Sequence, residues 1–199
     1  MENVAICPSL PEILEVMHEK GYTVGEGRHG ADLNLIGIRS AALEPEVFSD
    51  WIAVAYRDGG IWNFFPFPAT TDPGTYWQNR PERVRGSAVL EPGQYPDLWR
   101  VGTYRGRRAL RQRGPARVWR GARREHYLDT EGVPEGVRQS GIDLFLAPGP
   151  RDTRRWSAGG QVLQDPEHAR FLLALCTRAA RRQGDRFGYT LLEEADFVL

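Results

Sequence analysis

Trp51-Ile52-Ala53-Val54-Ala55-Tyr56, the turn Asp58-Gly59-Gly60, and Ile61-Trp62-Asn63-Phe64-Phe65-Pro66-Phe67 decide the fold class. Both flanking runs are rich in β-branched and aromatic residues, the types that fit a pleated, half-buried surface. The intervening Asp-Gly-Gly supplies the positive-φ positions that a tight hairpin requires. Pro66 and Pro68 cannot donate to a ladder, so they confine the end of the second strand to an edge or a bulge. Outward from this hairpin the chain keeps the same character. Asn34-Leu35-Ile36-Gly37-Ile38-Arg39 reads as a strand before it, and residues 86–90, 98–102, 109–110, 116–120, 141–145 and 187–192 read as strands after it. Thr70-Thr71-Asp72-Pro73-Gly74 and Glu91-Pro92-Gly93-Gln94-Tyr95 are turns, and residues 121–140 form a polar loop. So many short strands with Gly and Pro between them predict a barrel or a sandwich.

Two helices accompany the strands. Residues 9–20 carry a Ser9/Glu12 capping box, Pro11 in the first turn, and a stripe of Leu10, Ile13, Leu14, Val16 and Met17 that ends before Gly21. Residues 166–183 follow Asp165-Pro166-Glu167, present Phe171, Leu172, Leu175, Cys176 and Ala179, and stop at Gly184. The expected class is therefore mostly β, of the α+β kind, with an N-terminal and a C-terminal helix packed on the sheet. One domain over residues 1–199 is expected, with 1–29 as helix and lead-in and 30–192 as the β unit that includes the second helix.

Composition excludes several functional classes. The chain has 199 residues, 41% hydrophobic and 26% charged, and no run of eighteen apolar residues that would span a membrane. Its N-terminus, Met1-Glu2-Asn3-Val4-Ala5-Ile6-Cys7, lacks a basic region followed by an apolar core, so a cytoplasmic protein is the default, with release by lysis or a phage particle left open. Cys7 and Cys176 form neither a disulfide framework nor a metal-ligand spacing, and Cys176 lies in an apolar run that predicts a buried, inert thiol. His18, His29, His126 and His168 are scattered, so no zinc site and no cofactor are expected.

Charge sums to zero but is unevenly spread. Residues 1–54 hold nine acids against three bases, whereas residues 100–124 hold ten arginines and no acid. Val101, Tyr104, Leu110, Val118 and Trp119 interrupt that basic block as inward strand positions would, which predicts a solvated arginine face. The competing reading is a polyanion binder through this segment. Nucleic acid ranks last among the partners, because no aromatic platform is interleaved with the arginines.

Several phrases, taken in order, resemble one family. They are the 34–39 strand, Thr70-Thr71-Asp72-Pro73-Gly74-Thr75-Tyr76, Pro92-Gly93-Gln94-Tyr95, Ala109-Leu110-Arg111-Gln112, Gly141-Ile142-Asp143-Leu144-Phe145, Trp156-Ser157-Ala158-Gly159-Gly160-Gln161-Val162 and Tyr189-Thr190-Leu191-Leu192. This order is similar to a group of bacterial phage- and prophage-associated proteins akin to the L,D-transpeptidase catalytic domain, and the likeness spans about residues 30–192. It implies an L,D-transpeptidase-like β-barrel or sandwich, and chemistry in which a cysteine thiolate activated by a histidine attacks a peptide carbonyl. The histidine's place is taken by Phe145 and the cysteine's by Gly160. Asp143 stands where relatives carry asparagine, and Tyr104 stands where they often carry a further histidine.

Neither phenylalanine nor glycine can perform those roles, so the acyl-enzyme route is closed. The resemblance then implies a catalytically inactive, pseudoenzyme-type module, binding or structural, whose ligand is a peptidoglycan stem peptide or a partner protein in a non-catalytic cleft. Candidate ligand-binding residues are Tyr104, Asp143, Phe145, Trp156, Ser157, Gly159, Gly160 and Gln161, with Thr70-Thr71-Asp72-Pro73-Gly74 as further pocket lining. An alternative is a divergent peptidoglycan hydrolase or transferase that uses Ser157 with Asp143, or with His126 or His29 as base. Against it, Ser157 is expected to bond within its own turn, and Asp143 to cap or pair with an arginine such as Arg154 or Arg155.

Overall fold

The computed structural model describes residues 6–27, 29–41, 48–74, 76, 87–121, 133–137, 140–147 and 157–197. Helix α1 spans Leu10–Glu19 and helix α2 spans Pro166–Gln183. The strands are β1 (Asn34–Arg39), β2 (Asp50–Asp58), β3 (Ile61–Thr70), β4 (Ser87–Leu90), β5 (Gly93–Tyr104), β6 (Arg107–Gln112), β7 (Ala116–Gly121), β8 (Glu135–Val137), β9 (Leu144–Leu146), β10 (Gln161–Leu163) and β11 (Phe187–Glu193). Eight of them close a barrel in the order β1-β11-β5-β6-β9-β10-β3-β2, while β4, β7 and β8 form a separate three-stranded sheet. Of the two architectures left open by the sequence, the barrel is the one formed. The β1–β11 and β9–β10 pairs are parallel.

Alternation along each strand sorts the core into two sides. Leu35, Ile52, Val54, Leu110, Leu144, Leu163 and Leu191 share one buried cluster with Ala169, Leu172, Leu173, Leu175, Cys176 and Ala179 of α2. Ile36, Ile38, Ala55 and Leu192 face the other way and are covered by Ile13, Val16 and Met17 of α1. Strand β1 is therefore buried on both faces, which explains why its residues read as a continuous apolar run. Each fully buried Leu, Ile or Met in these contacts contributes roughly 1.5–3 kcal/mol. Within β1, Gly37 is needed for space, because a Cβ there would collide with the Tyr189 hydroxyl.

Several boundaries differ from the sequence expectation. Strand β3 continues through both prolines to Thr70. The Pro68 carbonyl accepts from the Gln164 amide, so the missing N–H of Pro68 faces the short β10 side rather than β2. There β10 pairs only with Ala69 and Thr70, and little ladder is lost. Strand β5 starts at Gly93, leaving Glu91 and Pro92 as the turn. Strand β8 lies inside the expected 121–140 loop, where its pairing with β7 supplies the partner. Strand β9 begins at Leu144 rather than Gly141. Among the described residues no helix is long and apolar enough to cross a membrane.

Candidate functional site

Parallel pairing of β9 with β10 sets Val162 opposite Phe145 and Gln161 opposite Leu144, which carries Gly160 to the side of Asp143 and Phe145. The Gln161 amide donates to the Asp143 carbonyl at 2.7 Å. The turn leading into β10 is pinned from two further directions. The Gly74 amide donates to the Ser157 carbonyl at 2.8 Å, and the Ala88 amide donates to the Ala158 carbonyl at 2.7 Å. Gly159 lies so close to the Ala88 carbonyl that a Cβ would clash with it.

At Gly160 there is no room for a side chain. A Cβ would sit 2.6 Å from Cε1 of Phe145, 2.9 Å from the Asp143 carbonyl and 3.3 Å from Oγ of Ser157. The Phe145 ring is buried with Ala109, Ala147 and Val162 and stacks on Tyr104 at 4.6 Å between centroids. Where the sequence suggested a cleft, the space directly over Gly160 is filled by this ring. The two positions are thus sterically coupled, since the ring of Phe145 occupies the volume that any side chain at position 160 would use.

The remaining polar groups of the pair are engaged locally. The Ser157 hydroxyl donates to the Gly160 carbonyl at 2.7 Å and accepts from the Gly159 amide at 2.9 Å. Asp143 accepts from the Gln112 amide at 2.6 Å and lies 2.9 Å from Nε of Arg111. Gln112 also fastens the loop before β9, its Oε1 accepting from the amides of Ser140 and Ile142. His29 bridges to Asp58, at the opposite end of β2 from Asp50. Trp156, Arg154, Arg155 and His126 lie outside the described residues. Neither cysteine offers a thiolate: burial pushes the Cys7 thiol up to about 12 and the fully buried Cys176 thiol higher still.

Next to this aromatic pack lies a buried polar knot that joins Gln161, Thr71 and Asp72 to Arg39, Asp50 and Tyr189, of which the last three were not singled out as site residues in the sequence. Arg39, only 8% exposed, donates to Oγ1 of Thr71 at 3.1 Å and to the Leu90 carbonyl at 3.0 Å. Its Nε is also 3.0 Å from Asp72 Oδ1, a charge contact rather than an aligned hydrogen bond. Asp50 accepts from the Thr71 amide at 2.6 Å, from its hydroxyl at 2.7 Å and from the Ser40 amide at 2.9 Å. Gln161 extends the knot inward, donating to the Thr71 carbonyl and accepting from the Tyr189 hydroxyl at 2.8 Å. Desolvation, reinforced by the nearby Asp72 charge, pushes the Asp50 carboxyl up to about 6, while these hydrogen bonds pull it down. Burial raises Asp72 as well, against the pull of Arg39. The available signal was position: Arg39 ends one apolar run and Asp50 begins another.

A cleft of about 400 Å³ opens elsewhere, between the 23–35 lead-in and β11, with Asn34, Gln94, Arg186 and Thr190 on its walls. Among the described residues no group of three or more His, Cys, Asp or Glu side chains is placed to hold a metal ion. No protein-family model matches the chain, and no curated protein matches it either.

Proposed function

We propose that this chain is a non-catalytic, L,D-transpeptidase-like module that binds a peptide, of the peptidoglycan stem-peptide kind, or serves as a structural scaffold. The observation that carries this reading is the Phe145 ring packed against the Cα of Gly160, which leaves no volume for a nucleophile's side chain. The occupied hydroxyl of Ser157 supports it further, because that hydroxyl already donates to Gly160 rather than to a base. A serine nucleophile needs a base within hydrogen-bond reach, and the Asp143 carboxylate is held instead by Gln112 and Arg111.

The test has two arms. Incubation of the purified protein with peptidoglycan is expected to give no turnover, and turnover that Ser157→Ala abolishes would overturn the non-catalytic half. Calorimetry with muropeptides carrying the stem peptide is expected to show binding, and a flat titration at millimolar ligand would sink the peptide half and leave the scaffold role.

A further inference from the structure

Among the described residues Arg105 is the only non-glycine residue with positive φ, at 48°. It pairs with Gly106, φ 76°, in the two-residue turn between β5 and β6, where both central positions need the left-handed region and Asn, Asp or Gly are favoured. An arginine is a costly choice there. What the strained backbone accomplishes is a placement: the Arg105 guanidinium lies 5.3 Å from the centroid of the Tyr104 ring.

A second guanidinium, that of Arg111, lies 5.4 Å from the same centroid, and Phe145 stacks on the ring at 4.6 Å. The β5–β6 register sets Arg100 opposite Arg111 and Tyr104 opposite Arg107. By alternation, residues 100, 102, 104, 107, 109 and 111 share one face of the sheet. Like charges directly opposed across a ladder destabilise it unless something neutralises them. Other arginines of this region are neutralised: Arg113 by Asp97, Arg117 by Glu91 and Arg120 by Glu135. Arg111 has Asp143. Arg100, Arg105 and Arg107 are exposed, and no carboxylate of the described residues lies within ion-pair distance of them. Arg100 is four residues, about 13 Å, along the strand from Tyr104, within the combined reach of two arginine side chains.

We propose that this face of the β5–β6 hairpin is a binding site for a compact polyphosphate group, of diphosphate length or longer, carried by a small molecule. Guanidinium forks match phosphate oxygens in bidentate geometry, and several unneutralised forks gathered within one hairpin suit clustered phosphate charge better than a single carboxylate. Tyr104 acts as a positioning residue. Its ring is already covered by Phe145 and two guanidiniums, so it orients Arg105 and Arg111 and does not stack a base. The inference does not depend on the peptidoglycan reading, because it stands on the arginines and the hairpin alone.

The experiment is a calorimetric titration of the intact chain with inorganic tripolyphosphate at low salt, repeated at rising salt. Wild type is expected to bind, and to weaken as salt screens the contact. Arg105→Asn keeps a residue suited to the turn, so its melting temperature without ligand should match or exceed wild type, while its affinity falls. Arg105→Asn with Arg107→Gln should lose roughly tenfold or more, as expected for hydrogen bonds to charged groups. Arg57→Gln, on β2 away from the hairpin, makes the same change in net charge as Arg105→Asn and should stay within about twofold of wild type. Equal loss in Arg57→Gln, or no binding by wild type at low salt, overturns the site. A single-stranded oligonucleotide that binds without competition from tripolyphosphate would overturn it in favour of a nucleic-acid strand. Failure of muropeptide binding with retained tripolyphosphate binding would leave this site standing and remove only the peptide reading.

Discussion

Two adjoining regions of the barrel solve the problem of burial in opposite ways. Around Phe145 and Gly160 the space is filled by packing, with an aromatic ring set beside a bare Cα. One residue further, Gln161 enters a knot in which Arg39, Asp50, Thr71 and Tyr189 stay polar and almost wholly enclosed, with Asp72 half-buried at its edge. The first region dispenses with charge, and the second keeps it and satisfies it. Buried charge is expensive unless paired and hydrogen-bonded, so a satisfied knot that joins several elements points to a structural role. Its task is to tie the ends of β1 and β2 to the 70–74 turn and to β10.

Breaking the knot should cost most. Arg39→Met removes the cation that Asp72 contacts and the donor to Thr71 and Leu90, leaving enclosed carboxylates without it. We expect a loss of about 3–5 kcal/mol in urea unfolding, the usual cost of removing one partner of a buried pair. A loss under about 1 kcal/mol would mean that the knot is hydrated. Overfilling the packed side should cost less. Gly160→Cys forces the Phe145 ring and the Asp143 carbonyl to move, for about 1–3 kcal/mol. Phe145→Ala costs stability on its own, but in a double-mutant cycle it should make Gly160→Cys cheaper. Additive effects would show that the two positions are not sterically linked. Ser157→Ala removes one donor and one acceptor from the turn and should cost about 1 kcal/mol.

The smallest effect is a slope with pH. Asp50 is raised to about 6 in the fold, against 3.8 ordinarily, so the folded chain holds that proton where the unfolded chain has released it. Its contribution to stability is therefore complete below about pH 4 and is lost as pH rises through about 6. Thermal melts between pH 4 and 7 should show this decline superposed on the other titrations, and Asp50→Asn should flatten it. An unchanged slope in that variant would assign the titration to Asp72.

Much of the fold was legible because its signals are local. Both helices announce themselves by caps, first-turn prolines and apolar stripes, and they run over Leu10–Glu19 and Pro166–Gln183. Strand β1 has the bounds its sequence suggested. What could not be read was set by partners distant in the chain. Strands β9 and β10 are three residues each and exist through their mutual pairing, and β8 exists through β7. The site divides in the same way. Phe145 and Gly160 meet because a strand and a turn lie close together in sequence. The knot draws on β1, β2, the 71–72 turn, β10 and β11, and no local pattern joins Arg39 to Asp72 or Gln161 to Tyr189. Asp143 illustrates the gap: its guanidinium partner, Arg111, comes from the neighbouring strand β6 rather than from the arginines near it in sequence.

The parallel β1–β11 pair sets Ile36 opposite Thr190, more than 150 residues further along the chain. That pairing bears on the speed of folding. The loop entropy of bringing these strands together must be spent before any of their contacts form, and non-local sheets fold slowly for this reason. Helices α1 and α2 can form within microseconds, whereas the ring closes only when its two most distant strands meet. Refolding from denaturant should therefore run on the millisecond-to-second scale, limited by that single parallel pairing.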